Sequence, residues 1–275
     1  MDDLLATHFA HLFIRDPIVV FNEDLTELDL TKADHFENLQ STNWQHMRFK
    51  PPPPGSDIGW RVEFRPMEIQ ITDFENAAFS IFIVLITRAI LSFNLNFYVP
   101  ITRVSENMET AHVRDAVSTQ KFWFRKNPFS SHKSSSGTGT STPADSNSRP
   151  PTPVGPVEDE YEQMSINEVI NGQHSTDGGF PGLIPLVESY LNSMNVDVET
   201  RCDIATYLDL IRKRANGTYW TAAKWIRHFV AEHPDYKKDS VVGDGITYDL
   251  VKAAEQITKG EGRDGLGKEM LGRRR

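Results

Sequence analysis

Apolar and polar positions alternate with a period of two over residues 60–65. Trp60, Val62 and Phe64 fall on one parity, and Arg61, Glu63 and Arg65 on the other. Successive side chains of a strand point to opposite faces, so this pattern predicts a strand with a bulky apolar side and a cation–anion–cation row on the other. After Pro66 the parity inverts: Met67, Ile69 and Ile71 are apolar, and Glu68, Gln70 and Thr72 polar. A one-residue shift beside a proline predicts a bulge, a device that often re-aims side chains near a site. Upstream, Arg48 and Lys50 share a parity, Trp44 lies just ahead of them, and the four prolines Pro51–Pro54 make a stiff extended connection.

Elsewhere the period is helical. Residues 2–15 place Leu5, Phe9, Leu12 and Phe13 at helical spacing before Pro17, and Asp34 with Glu37 predicts a second helix start. Thr72 and Glu75 form a T-x-x-E capping box at the head of an apolar helix over 73–93, whose composition predicts a central position. Asn96–Ile101 reads as a strand, and Ser105 as the cap of a helix over 106–118. Further helices are predicted at Leu183–Met194, at 199–214 with Ile204, Tyr207, Leu208 and Ile211 inward, at 219–232 with Ala222, Ile226, Phe229 and Val230 inward, and at 247–258. Asn216-Gly217 and Pro234 supply stop signals. Ser130–Pro156 is dominated by Ser, Thr, Pro and Gly and cannot bury enough apolar surface to offset ordering entropy, so disorder is expected there. The Gly- and charge-rich residues from Lys259 onward read as a frayed end.

Composition changes this picture little. The 275 residues are 39% hydrophobic and 24% charged, as in ordinary globular chains, and the formal net charge of −9 argues against a general nucleic-acid binder. A single cysteine, Cys202, rules out an intrachain disulfide and fits a reducing compartment. The opening MDDLLATHFAHLFIRDP lacks the pattern of a signal peptide. The longest apolar run, Ala77–Ile86, falls short of the ~20 residues of a membrane helix, so no membrane partner is expected.

Charge placement matters more. Arg donates two hydrogen bonds at once to phosphate oxygens, and Glu is a hard oxygen ligand for Mg²⁺, so the Arg61–Glu63–Arg65 row suits phosphoryl chemistry. A surface salt-bridge ladder explains the same spacing. Trp44, Arg48 and Lys50 could line a nucleotide pocket, or Trp44 could be core and the cations solvated. His8 and His11 stand at i, i+3 and could share a metal, but no further ligand lies nearby, and structural histidines are the plainer reading. The segment Lys121–Lys126, KFWFRK, could stack bases or form an amphipathic strand; net acidity favours the strand.

The residues around this row resemble a known family. DHFENLQSTNWQHMRFKPPPP with SDIGWRVEFRPMEIQITDFENAAF, HFAHLFIRDP near the start, VSENMETAHVRDAV with FWFRK, and GGFPGLIPLVESYL with EHPDYKKDSV closely resemble the eukaryotic glutamate–cysteine ligase (gamma-glutamylcysteine synthetase) catalytic subunit. The resemblance implies an ATP-dependent carboxylate–amine ligase that makes gamma-glutamylcysteine through gamma-glutamyl phosphate, the first step of glutathione biosynthesis. It implies an α+β fold: part of a glutamine-synthetase-like antiparallel funnel with outer helices, then a mainly helical C-terminal region. ATP and Mg²⁺ follow as cofactors, with glutamate, cysteine and ATP as small-molecule substrates in the cytoplasm. A regulatory subunit and self-association stay open. Glu63 is implied as the metal ligand and Arg65 as the contact to the transferred phosphate, these two being the catalytic pair. Asn43, Trp44, Arg48 and Lys50 border the nucleotide. The expected division is a catalytic part over 1–126, an insertion over 127–158, a helical region over 159–258 and a tail over 259–275. Family chains are longer at the N-terminus, so the chain reads as a C-terminal portion carrying part of an active site, poorly active or inactive alone. A truncated non-catalytic relative, acting as a nucleotide-binding or interaction module, is the alternative.

Overall fold

The computed structural model describes residues 47–50, 52, 55–65, 67–129, 160–173, 179–260 and 267–271, with residues 3, 6–8, 10 and 11 near the start. The helix expected from Asp34, most of the proline run and the Ser130–Pro156 segment lie outside the described residues. Backbone contacts divide the chain into two compact units, residues 1–69 with 100–105 and residues 70–99 with 106–275.

In the smaller unit, β1 (Met47–Lys50) pairs antiparallel with β2 (Arg61–Phe64). The register sets Arg48 opposite Glu63, Phe49 opposite Val62 and Lys50 opposite Arg61. The alternating strand is therefore present. The bulge expected after it is not: residues 67–70 carry no strand. Proline has no N–H to donate to a ladder, so pairing stops ahead of Pro66. The apolar parity of β2 stays largely uncovered, with Trp60 63% and Val62 54% exposed. Described residues near the start are helical, and His11 Nε2 lies 2.6 Å from Ser105 Oγ in a hydrogen bond.

The larger unit is built around α1 (Asp73–Phe93). The Thr72–Glu75 capping box forms as the sequence predicts, and Asn94 closes the helix in the left-handed region. Ala78, Phe82, Ile86 and Ala89 recur every three or four residues and form one buried stripe. That stripe packs against α5 (Leu183–Ser193) and α6 (Val198–Ala215), which bring Ile184, Val187, Leu208 and Ile211 to the same core. At the head of α1, Glu75 is fully buried and paired with Arg214 near the end of α6.

The strand expected over Asn96–Ile101 reduces to an isolated bridge between Leu95 and Phe129. The Asn96 side chain accepts the Tyr98 N–H at 2.9 Å, which bends the chain, and α2 (Ile101–Ala111) starts directly after Pro100. Ser105 thus lies inside the helix instead of capping it. Asp115, in the left-handed region, precedes a short α3 (Ala116–Thr119).

β3 (Lys121–Arg125) then pairs antiparallel with β4 (Tyr161–Ser165), with Trp123 opposite Gln163. Asn107 of α2 bonds the backbone of Trp123 twice: Trp123 N–H donates to Oδ1 at 2.7 Å, and Nδ2 donates to the Trp123 carbonyl at 2.9 Å. Phe124 enters the core against Phe97 and Phe180. Ser165 and Glu168 form a second capping box for α4 (Ile166–Asn171). Gly172 and Gly182, both at positive φ, then cross so closely that a Cβ on Gly182 would lie 2.4 Å from the Gly172 nitrogen.

A second small core joins α7 (Ala222–Glu232), α8 (Asp244–Thr258) and α9 (Lys268–Leu271) through Trp225, Ala253, Ile257 and Met270. Trp225, not Ile226, is the buried residue of α7, because Trp225 with Ala222 and Phe229 makes the larger continuous stripe. Helices with two small antiparallel sheets make the described chain α+β.

Candidate active site

Glu63 is the centre of the β1–β2 face. Its Oε1 accepts from Arg65 Nε at 2.7 Å, and its Oε2 is paired with the Lys50 ammonium. Arg65 stands two residues on from Glu63, just past the end of β2, and its guanidinium turns to the Glu63 carboxylate. Lys50 is diagonal to Glu63 across the ladder, since its own partner is Arg61, and a long side chain spans that diagonal. The bond from Lys50, and after it the bond from Arg65, holds the Glu63 carboxyl down from 4.5 to about 2. Arg65 has a side chain only 10% exposed, whereas Lys50 and Glu63 are each about one-third exposed.

Arg61 shares this parity and is exposed, and no hydrogen bond or ion pair reaches its guanidinium among the described residues. Arg48 holds the ladder position opposite Glu63. Lys50 and Arg65 thus hold one carboxylate, with Arg61 and the Arg48 ladder position adding two further basic positions to the strand pair. Guanidinium and ammonium donors in such surplus match the chemistry of anions such as phosphate oxygens.

The same face does not make a Mg²⁺ site from its own residues. Among the described residues it offers a single carboxylate, whose two oxygens are already held by cations. No group of three His, Cys, Asp or Glu side chains that could hold a metal occurs among the described residues. Asn43 and Trp44 lie outside the described residues, so only Arg48, Lys50 and Arg65 of the nucleotide-border set are placed. The Lys50–Glu63 contact itself was not read from the sequence. Its signal was the shared parity of Arg48 and Lys50, but the long proline-containing connection to β2 leaves the register unspecified.

The remaining candidates resolve differently. KFWFRK is the amphipathic strand β3, and its groups serve the fold. Phe124 is in the core, Trp123 Nε1 donates to Glu106 at 2.6 Å, and Arg125 pairs with Glu160 at 2.9 Å. Cys202 is exposed on α6. His11 is engaged with Ser105.

Fold and site together define an α+β protein with a net-positive hairpin face built around one carboxylate. The chain belongs to the glutamate–cysteine ligase family, whose model matches residues 1–257. It is 68% identical to the glutamate–cysteine ligase of Neurospora crassa over 97% of its own length and 39% of that relative's. It is 53% identical to the Schizosaccharomyces pombe enzyme, over 97% of the chain and 37% of the relative. With the catalytic subunit of Rattus norvegicus it shares 54% identity over 94% of the chain and 39% of the relative. The chain thus spans a little under two-fifths of the length of these relatives.

Proposed function

We propose that this chain supplies one wall of the ATP site of a glutamate–cysteine ligase. The observation that carries the reading is the Lys50–Glu63–Arg65 cluster on paired strands, within a chain that belongs to this family. In the reaction, the terminal phosphoryl group of ATP passes to the side-chain carboxylate of glutamate. The cysteine amine then displaces phosphate to give gamma-glutamylcysteine, which leads to glutathione. Such a transfer asks the protein for positioning and charge neutralisation more than for covalent chemistry.

Arg65 fits the transferred phosphoryl group. Glu63 already orients its guanidinium, so little reorganisation is needed when charge develops on the oxygens. Lys50, Arg48 and Arg61 extend the positive face along the phosphate chain, and Asn43 and Trp44 complete the nucleotide border. Glu63 positions Lys50 and Arg65, and acts as a Mg²⁺ ligand only where further carboxylates reach it from outside the described residues. The hairpin is read as part of a glutamine-synthetase-like funnel, in a cytoplasmic enzyme acting on glutamate, cysteine and ATP.

The test is ATP-, glutamate- and cysteine-dependent phosphate release by the chain joined to the remaining polypeptide of a relative. Arg65→Lys and Glu63→Gln are each expected to lower kcat by about 10²–10³-fold. Unchanged rates in both variants overturn the assignment. A second reading, a non-catalytic nucleotide-binding relative, is favoured by the single carboxylate of the face. It predicts ATP binding that the same substitutions weaken, with no turnover even in the joined protein.

A further inference from the structure

α1 has a second side. Opposite its buried stripe, Ala77, Ser80, Val84, Thr87 and Leu91 follow one another at spacings of three and four and line one outer face. Val84 is 55% and Leu91 76% exposed. The hydroxyls on this face turn back onto the helix: Ser80 Oγ donates to the Asn76 carbonyl and Thr87 Oγ1 to the Ile83 carbonyl, each at 2.8 Å. The face therefore presents carbon and leaves no hydroxyl proton for water. A 21-residue helix this apolar, with a mean hydropathy of 1.8 over an 18-residue window, belongs in surroundings that cover it on all sides.

We propose that this outer face of α1 is an interface, and that its occupant is an apolar surface of the ligase polypeptide which this chain does not span. The inference rests on family membership and is independent of the phosphate reading. Nearly the whole chain matches the Neurospora crassa relative, yet it accounts for only 39% of that relative's length. The larger part of such a polypeptide is therefore available to pack here. Lipid is the poorer occupant, because the exposed Arg88 lies beside the stripe within the helix and Asp73 stands at its head.

The test co-expresses this chain with the part of the Neurospora crassa polypeptide that it does not match. Val84→Asp combined with Leu91→Asp changes only exposed side chains, so circular dichroism and the thermal midpoint of the chain should stay near wild type. Retention by the complementary polypeptide is expected to fall at least tenfold, and hydroxyl-radical labelling of Val84 and Leu91 to drop when the wild-type pieces are together. If the aspartates disturb the helix, Val84→Ser with Leu91→Ser gives the same comparison with neutral side chains. Equal retention of wild type and variants, or no retention of wild type, overturns the proposal. So does a wild-type homodimer, or binding to phosphatidylcholine–phosphatidylserine vesicles, that the same substitutions abolish.

Discussion

Glu63 carries one negative charge among four basic positions, and its protonation reports on the whole hairpin face. Its carboxyl is held down to about 2 by the bonds from Lys50 and Arg65. A depressed carboxylate stabilises the folded form fully above its unfolded value near 4.5, and this contribution is lost as pH falls through about 2. The pairing therefore persists at neutral pH and weakens only on strong acidification. A carbon-13 titration of the Glu63 carboxyl should show a midpoint near 2, moving up towards 4.5 in Lys50→Met. A midpoint that ignores Lys50 would contradict the contact. At this scale the sequence was partly legible: parity alone put Glu63 and Arg65 on one face, whereas the partner from β1 depended on a register that no residue pattern specifies.

Elements show the same division between local and long-range information. The capping box at Thr72 was readable because both its residues lie within one turn. The pairing of Glu75 with Arg214, 139 residues away, was not. That pair ties α1 to α6 inside the core, where burial lowers the pKa of Arg214 and Glu75 counters the shift. Glu75→Gln removes the counter-charge from a buried guanidinium and is expected to cost about 3–5 kcal/mol, read as a lower denaturant midpoint. A loss under about 1 kcal/mol would mean that water reaches Arg214. β4 went unpredicted because Tyr161 and Met164, on opposite parities, are both buried, so no alternation marks it. The Asn96–Ile101 strand failed for the reverse reason: a strand-like composition gave way to a local turn at Asn96 and a helix start after Pro100.

The whole molecule pairs a recognisable chemical face with a limited share of its family's length. Among the described residues the face holds one carboxylate, too few for a metal cluster, and Val62 of β2 and Val84 and Leu91 of α1 stand exposed. The chain alone is accordingly expected to release no phosphate above background from ATP with glutamate and cysteine. Turnover matching a full-length relative would show that the described face is sufficient by itself. The small sheet of the larger unit has a different standing. At the outer edge of β3 the N–H and carbonyl of Trp123 are taken by the Asn107 amide, so at this one residue a side chain stands where a third strand would bond. A position filled in this way weakens the edge as a template, because a strand added there must first displace the Asn107 amide.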